Sequence, residues 1–124
     1  MLNLDTHLVV ALLSGDLRKA EHQLVLADSL AISDIVLWEL AKLVELNRIE
    51  LDFEDPAFRA FLRGVRVFPI TPDIARKSTE LDFSSDPADE IIAATSVVER
   101  TPLLTRDRRI LKSKMVPLAL AKNI

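Results

Sequence analysis

Three Xaa-Pro pairs, Asp55-Pro56, Thr71-Pro72 and Asp86-Pro87, mark points at which a helix has to begin. Each sets a side-chain oxygen before a first helical turn and a ring whose fixed φ suits that turn, where its missing N–H has no partner to lose. With those starts fixed, the short apolar runs between them are read as strands, each too short to stand as a helix. The candidate strands are Met1 to Leu4, Leu30 to Ser33, Arg66 to Ile70, Pro102 to Thr105 and Val116 to Leu120.

Helical periodicity fills the spaces. Ser33 or Asp34 caps a helix over Ile35 to Leu46, in which Leu37, Leu40, Ala41 and Val44 recur at helical spacing, and Asp16 to Ala27 reads as a more polar, more exposed helix. The helix after Pro87 carries no charge from Ile91 to Val98, so it is expected to be covered on both faces. Strand and helix in alternation predict an α/β chain with a central, mostly parallel sheet of about five short strands between helices. A length of 124 residues allows one domain, spanning 1–124. No cysteine is present, which removes disulfides and thiolate-bound metal. The run Leu8 to Leu13 lacks the preceding positive charge of a signal peptide and no stretch reaches the ~20 apolar residues of a membrane span, so a cytoplasmic protein is expected.

The acids fall where an open parallel sheet places its ligands, outside the carboxyl ends of the strands. Asp5 ends the first strand, Glu39 lies about a turn and a half after the second, Asp107 lies just past the fourth, and Asp89 sits in the first turn of the uncharged helix. Two anions about 5 Å apart repel by roughly 3 kcal/mol at an effective dielectric of 20. A converging set must therefore take up protons, find cations or bind a metal, and an all-oxygen set suits Mg2+ or Mn2+. Local capping is the competing reading for Asp5 and Asp107. Asp86 is assigned to helix capping. A phospho-accepting receiver domain also gathers acids at such a rim, but here its aspartate would be Asp73, its lysine Lys122, and Glu39 would have no task.

Four segments together, Met1 to His7, Ser33 to Ala41, Asp86 to Thr95 and Pro102 to Asp107, resemble in order the motifs of PIN-domain endoribonucleases, and most of all the VapC-type toxins. The resemblance spans essentially the whole chain. It implies a PIN-like fold, Mg2+- or Mn2+-dependent cleavage of RNA, and a cognate antitoxin. It also implies that Asp5, Glu39, Asp89 and Asp107 are catalytic metal ligands and that Thr6 and Thr105 supply supporting hydroxyls. Glu90 stands where arginine is common in similar proteins. Arg106 and Arg108, beside Asp107, are candidate contacts for RNA phosphate. His7 reads as a structural histidine and Trp38 as core or rim packing. Apolar helix surface around Leu8, Leu12, Leu37, Trp38 and Val44 exceeds what a small core should bury, predicting cover by the antitoxin or by a second copy in a homodimer.

Overall fold

The computed structural model describes residues 1–119. Strand β1 (Leu2–Leu4) leads into helix α1 (Thr6–Ser14), and α2 (Lys19–Leu26) returns the chain to β2 (Leu30–Ser33). Then follow α3 (Ile35–Glu45), α4 (Pro56–Gly64), β3 (Arg66–Phe68), α5 (Pro72–Lys77), α6 (Pro87–Glu99), β4 (Leu103–Leu104) and α7 (Arg108–Leu111). The three Xaa-Pro pairs do begin α4, α5 and α6. Asp55 accepts from the Ala57 amide at 2.8 Å and Thr71 from the Ile74 amide at 3.2 Å. Asp86 occupies the cap position of α6, yet its side chain makes no capping hydrogen bond.

The strands form one sheet in the order β3-β2-β1-β4, and every described pairing is parallel. Four strands rather than five are formed among the described residues. The expected fifth survives as a single parallel bridge between Leu118 and Leu103, held by Leu103 N to Pro117 O at 2.8 Å and Ala119 N to Leu103 O at 2.9 Å. Its partner β4 is two residues long, so there is little ladder for a longer edge strand to join. Leu120 and Lys122 lie outside the described residues.

Helix α6 lies close against β1, and small residues permit the approach. Ala93, Ala94 and Ser96 are fully buried, and Asn3 of β1 donates to Ser96 Oγ at 2.9 Å and to the Ile92 carbonyl at 3.3 Å. A residue with a larger side chain at 93 or 96 would push the helix off the sheet. Leu4, Leu8, Ile32, Val36, Leu40, Phe58, Ile92, Leu104 and Ile110 fill the core. No described helix is long and apolar enough to cross a membrane.

Candidate active site

From β1 the chain steps outward to β2 and β3, then returns to place β4 on the other side of β1. Strand order thus reverses between β1 and β4, where the loops leaving the two carboxyl ends part and open a crevice. Asp5 follows β1 directly and is 2% exposed. Its Oδ1 caps α1 by accepting from Thr6 N at 2.9 Å, while Oδ2 accepts from Thr105 Oγ1, just past β4, at 2.6 Å. Thr6 Oγ1 donates in turn to Glu39 Oε1 on α3. Asp89, in the first turn of α6, accepts from Ser85 Oγ at 3.0 Å through Oδ2. Asp5, Thr6, His7, Glu39 and Asp89 line one open pocket of about 260 Å³, walled on its apolar side by Val10, Leu43 and Ile49.

Burial raises the Glu39 carboxyl above its ordinary value, and the neighbouring charges of Asp89, Asp5 and Asp86 push the same way against the Thr6 hydrogen bond. Asp89 is raised likewise, first by burial and then by Asp5, with Ser85 opposing and Asp107 and Asp86 adding to the rise. The pocket therefore carries negative charge that its own hydrogen bonds do not neutralise. Its donors are all oxygen except His7, the set preferred by a hard divalent cation. Among the described residues, however, no three carboxylate or imidazole groups are drawn together tightly enough to hold one metal ion. Hydrogen bonds to Thr6, Thr105 and Ser85 fix Glu39, Asp5 and Asp89 separately around the pocket. The donor chemistry fits a divalent cation.

The PIN domain family model matches residues 3–114. The chain belongs to the PIN domain family. Over 87 residues it is 38% identical to "Ribonuclease VapC22" of Mycobacterium tuberculosis (strain ATCC 25618 / H37Rv), across 68% of this chain and 67% of that protein. Among solved structures, a toxin-antitoxin complex from Klebsiella pneumoniae aligns with a TM-score of 0.70 and 26% identity over 90% of this chain and 91% of that one. VapBC2 from Rickettsia felis, bound to a DNA fragment from its promoter, shares the fold with a TM-score of 0.73 at 18% identity, covering 95% of this chain and 97% of that one.

Around the pocket of this PIN domain the other candidates separate. Asp107 is the N-cap of α7, accepting from Arg109 N at 2.8 Å, and lies beside the pocket rather than in its wall while still repelling Asp89. Arg106, the candidate phosphate contact, is paired with an acid: its Nε and Nη2 donate to Glu21 at 2.8 and 2.6 Å. A buried acid on α2 claimed it, and nothing in the polar pattern of Asp16 to Ala27 signalled that acid. Arg108 is exposed. Arg109 reaches across to the Ser84 carbonyl at 3.3 Å. Asp86, assigned to capping, makes no cap bond and instead adds its charge to the field on Glu39 and Asp89. Glu90 accepts from Ser85 N at 3.3 Å, so it braces the entry to α6. Ser85, missed in the sequence, thus meets both Asp89 and Glu90; its position four residues before Asp89 was the one available signal. His7 accepts from the Arg106 amide through Nε2 at 2.9 Å, with Nδ1 3.6 Å from Asp5 Oδ2. Trp38 is 54% exposed rather than packed, with Lys42 over its ring.

Proposed function

We propose that this PIN domain is a Mg2+- or Mn2+-dependent endoribonuclease and acts as the toxin of a type II toxin–antitoxin pair. The observation that carries the reading is the pocket at the β1–β4 reversal, which Asp5, Glu39 and Asp89 line together and in which burial and neighbouring acids raise the carboxyls of Glu39 and Asp89 above their ordinary values. The relative named as a ribonuclease supports RNA as substrate, and the toxin-antitoxin complex among the structural neighbours supports an antitoxin partner. The reading includes a homodimer and a cytoplasmic site of action.

In this reading Asp5, Glu39 and Asp89 hold the cation, with Asp107 at the rim. The cation supplies positive charge that polarises the phosphate and makes the attacking water more acidic. Thr105 and the Thr6 amide fix both Asp5 oxygens, so that anion meets its ligand without a search through rotamers. Thr6 ties Asp5 to Glu39, one through its amide and the other through its hydroxyl. The described hydrogen bonds of Glu39 and Asp89 engage one oxygen each, Oε1 and Oδ2. As water attacks phosphorus and the bond to the departing ribose oxygen breaks, the water proton would pass to the other oxygen of one of these carboxylates, and the departing oxygen would take its proton from solvent.

The test is cleavage of RNA in Mg2+ by Asp5→Asn, Glu39→Gln and Asp89→Asn variants that melt no lower than the parent. Losses of about a hundredfold or more are expected. Near-parental cleavage by Asp5→Asn and Asp89→Asn would sink the proposal. Co-expression with the protein encoded next to it, followed by copurification, tests the antitoxin.

A further inference from the structure

We propose that Glu21, on α2 and outside the pocket, is a positioning residue for the active site: it latches the loop that carries Thr105 and Asp107 through Arg106. The inference rests on the functional reading of the Asp5–Glu39–Asp89 pocket. Glu21 is 1% exposed and, with Val25, one of the two buried residues of α2. Its Oε1 accepts from Arg18 N at 2.8 Å and from Arg106 Nη2 at 2.6 Å, and its Oε2 accepts from Arg106 Nε at 2.8 Å. Arg106 Nη2 also donates to the Asp16 carbonyl at 3.2 Å. From the other side, the Arg106 amide donates to His7 Nε2 at 2.9 Å. Arg106 is therefore clamped by α2 through its side chain and by α1 through its backbone.

The residues on either side of it border the site, Thr105 through its bond to Asp5 and Asp107 through its charge on Asp89. Thr105 Oγ1 donates to Asp5 Oδ2 and accepts from Asp107 N at 3.0 Å. The elements that flank the loop are short, β4 before it being two residues long and α7 after it four. Buried ion pairs are poor sources of net stability and are often replaced by apolar residues without loss. What a bidentate guanidinium–carboxylate pair does supply is direction, since two parallel donors leave the arginine one orientation. Its placement beside a hydroxyl aimed at Asp5 makes that direction consequential for the site.

The test uses the full chain with Glu21→Gln and the apolar pair Glu21→Leu/Arg106→Met. Val25→Ala, a core change on the same helix, and Asp5→Asn serve as controls. Readouts are kcat and KM on RNA, calorimetric Mn2+ binding, and residue-resolved amide exchange. Glu21→Gln is expected to lower kcat about tenfold or more with KM within about threefold, the signature of misplaced groups rather than lost binding. It should also weaken Mn2+ binding and speed exchange at Arg106 and Asp107, whereas Val25→Ala lowers the melting temperature and leaves kcat unchanged. Should Glu21→Gln fail to fold, the apolar pair decides, with the same expectations. Parental kcat and Mn2+ affinity in whichever variant folds, with cleavage abolished by Asp5→Asn, overturns the latch and leaves the acidic site standing. Full cleavage by Asp5→Asn overturns the site, and the latch falls with it.

Discussion

Asp5 divides its two oxygens between tasks, one capping α1 and the other receiving Thr105 across the crevice. Capping and site membership, which compete as explanations in the sequence, are here the same residue. Glu39 and Asp89 carry the cost of that crowding. Because their folded-state pKa values are raised, the native protein binds more protons than the unfolded chain between the unfolded and folded values, and stability falls as pH rises through that window. Glu39→Gln and Asp89→Asn should each raise the melting temperature of the metal-free protein at pH 7, a gain that shrinks below the ordinary carboxylate range, where the parental carboxyls are protonated in both states. Melting curves in the two pH ranges check this. Adding Mg2+ should raise the parental melting temperature and leave that of the variants nearly unmoved. Glu21 has the opposite sign: Arg106 lowers its pKa, so its stabilisation is present above the ordinary carboxylate range and lost as pH falls through the lowered value.

Helix α6 separates chemistry from architecture along its length. Its first turn presents Asp89 and Glu90, its middle lies against β1, and its last residue leads into Arg100 in the left-handed region at φ 53°. A side chain there is strained and glycine is not, so Arg100→Gly should stabilise the protein by about 0.5–1 kcal/mol and leave RNA cleavage unchanged, as the position is some three turns from Asp89. Gly15 closes α1 at φ 78° with its amide donating to Ala11 and Leu12 carbonyls, and Gly15→Ala should cost about 1 kcal/mol. Thermal melts of the two variants test both signs. Elements of this kind were legible because their causes are local: a proline fixes where α4, α5 and α6 begin, and an uncharged run shows that α6 is covered. The places of Asp5, Glu39 and Asp89 followed from strand ends and the family resemblance. What stayed hidden depends on distant partners. Glu21 and Arg106 lie 85 positions apart, and nothing in either segment names the other.

At the scale of the molecule, the sheet order that opens the crevice also decides which surface is left for a partner. Of the apolar surface expected around Leu8, Leu12, Leu37, Trp38 and Val44, Leu8 is fully buried on the core side of α1, Leu12, Leu37 and Val44 are half-buried, and Trp38 is exposed. Beside the site lies a cleft of about 710 Å³, walled by half-buried Val10, Leu13, Ile49 and Leu51 and floored by the core residues Leu40 and Phe58, with Glu50, Asp52 and Asp55 among its lining residues. Val10 and Ile49 belong to this cleft and to the acidic pocket alike, so a segment lying in one borders the other. On α3, Trp38 and the following Leu46 remain exposed. An antitoxin segment that covers cleft and α3 together should shift the emission of Trp38, the chain's single tryptophan, to the blue as its ring leaves water. A charge placed in the cleft, Leu13→Glu or Leu51→Glu, should weaken that complex by about tenfold or more, since it leaves an unpaired anion against apolar wall. RNA cleavage by the free variants should stay at the parental level, because neither residue reaches the acids. Titration of Trp38 emission with the purified antitoxin measures the first effect. An unchanged affinity in both variants would move the proposed interface away from the cleft, and lost cleavage would show that cleft and pocket act as one site.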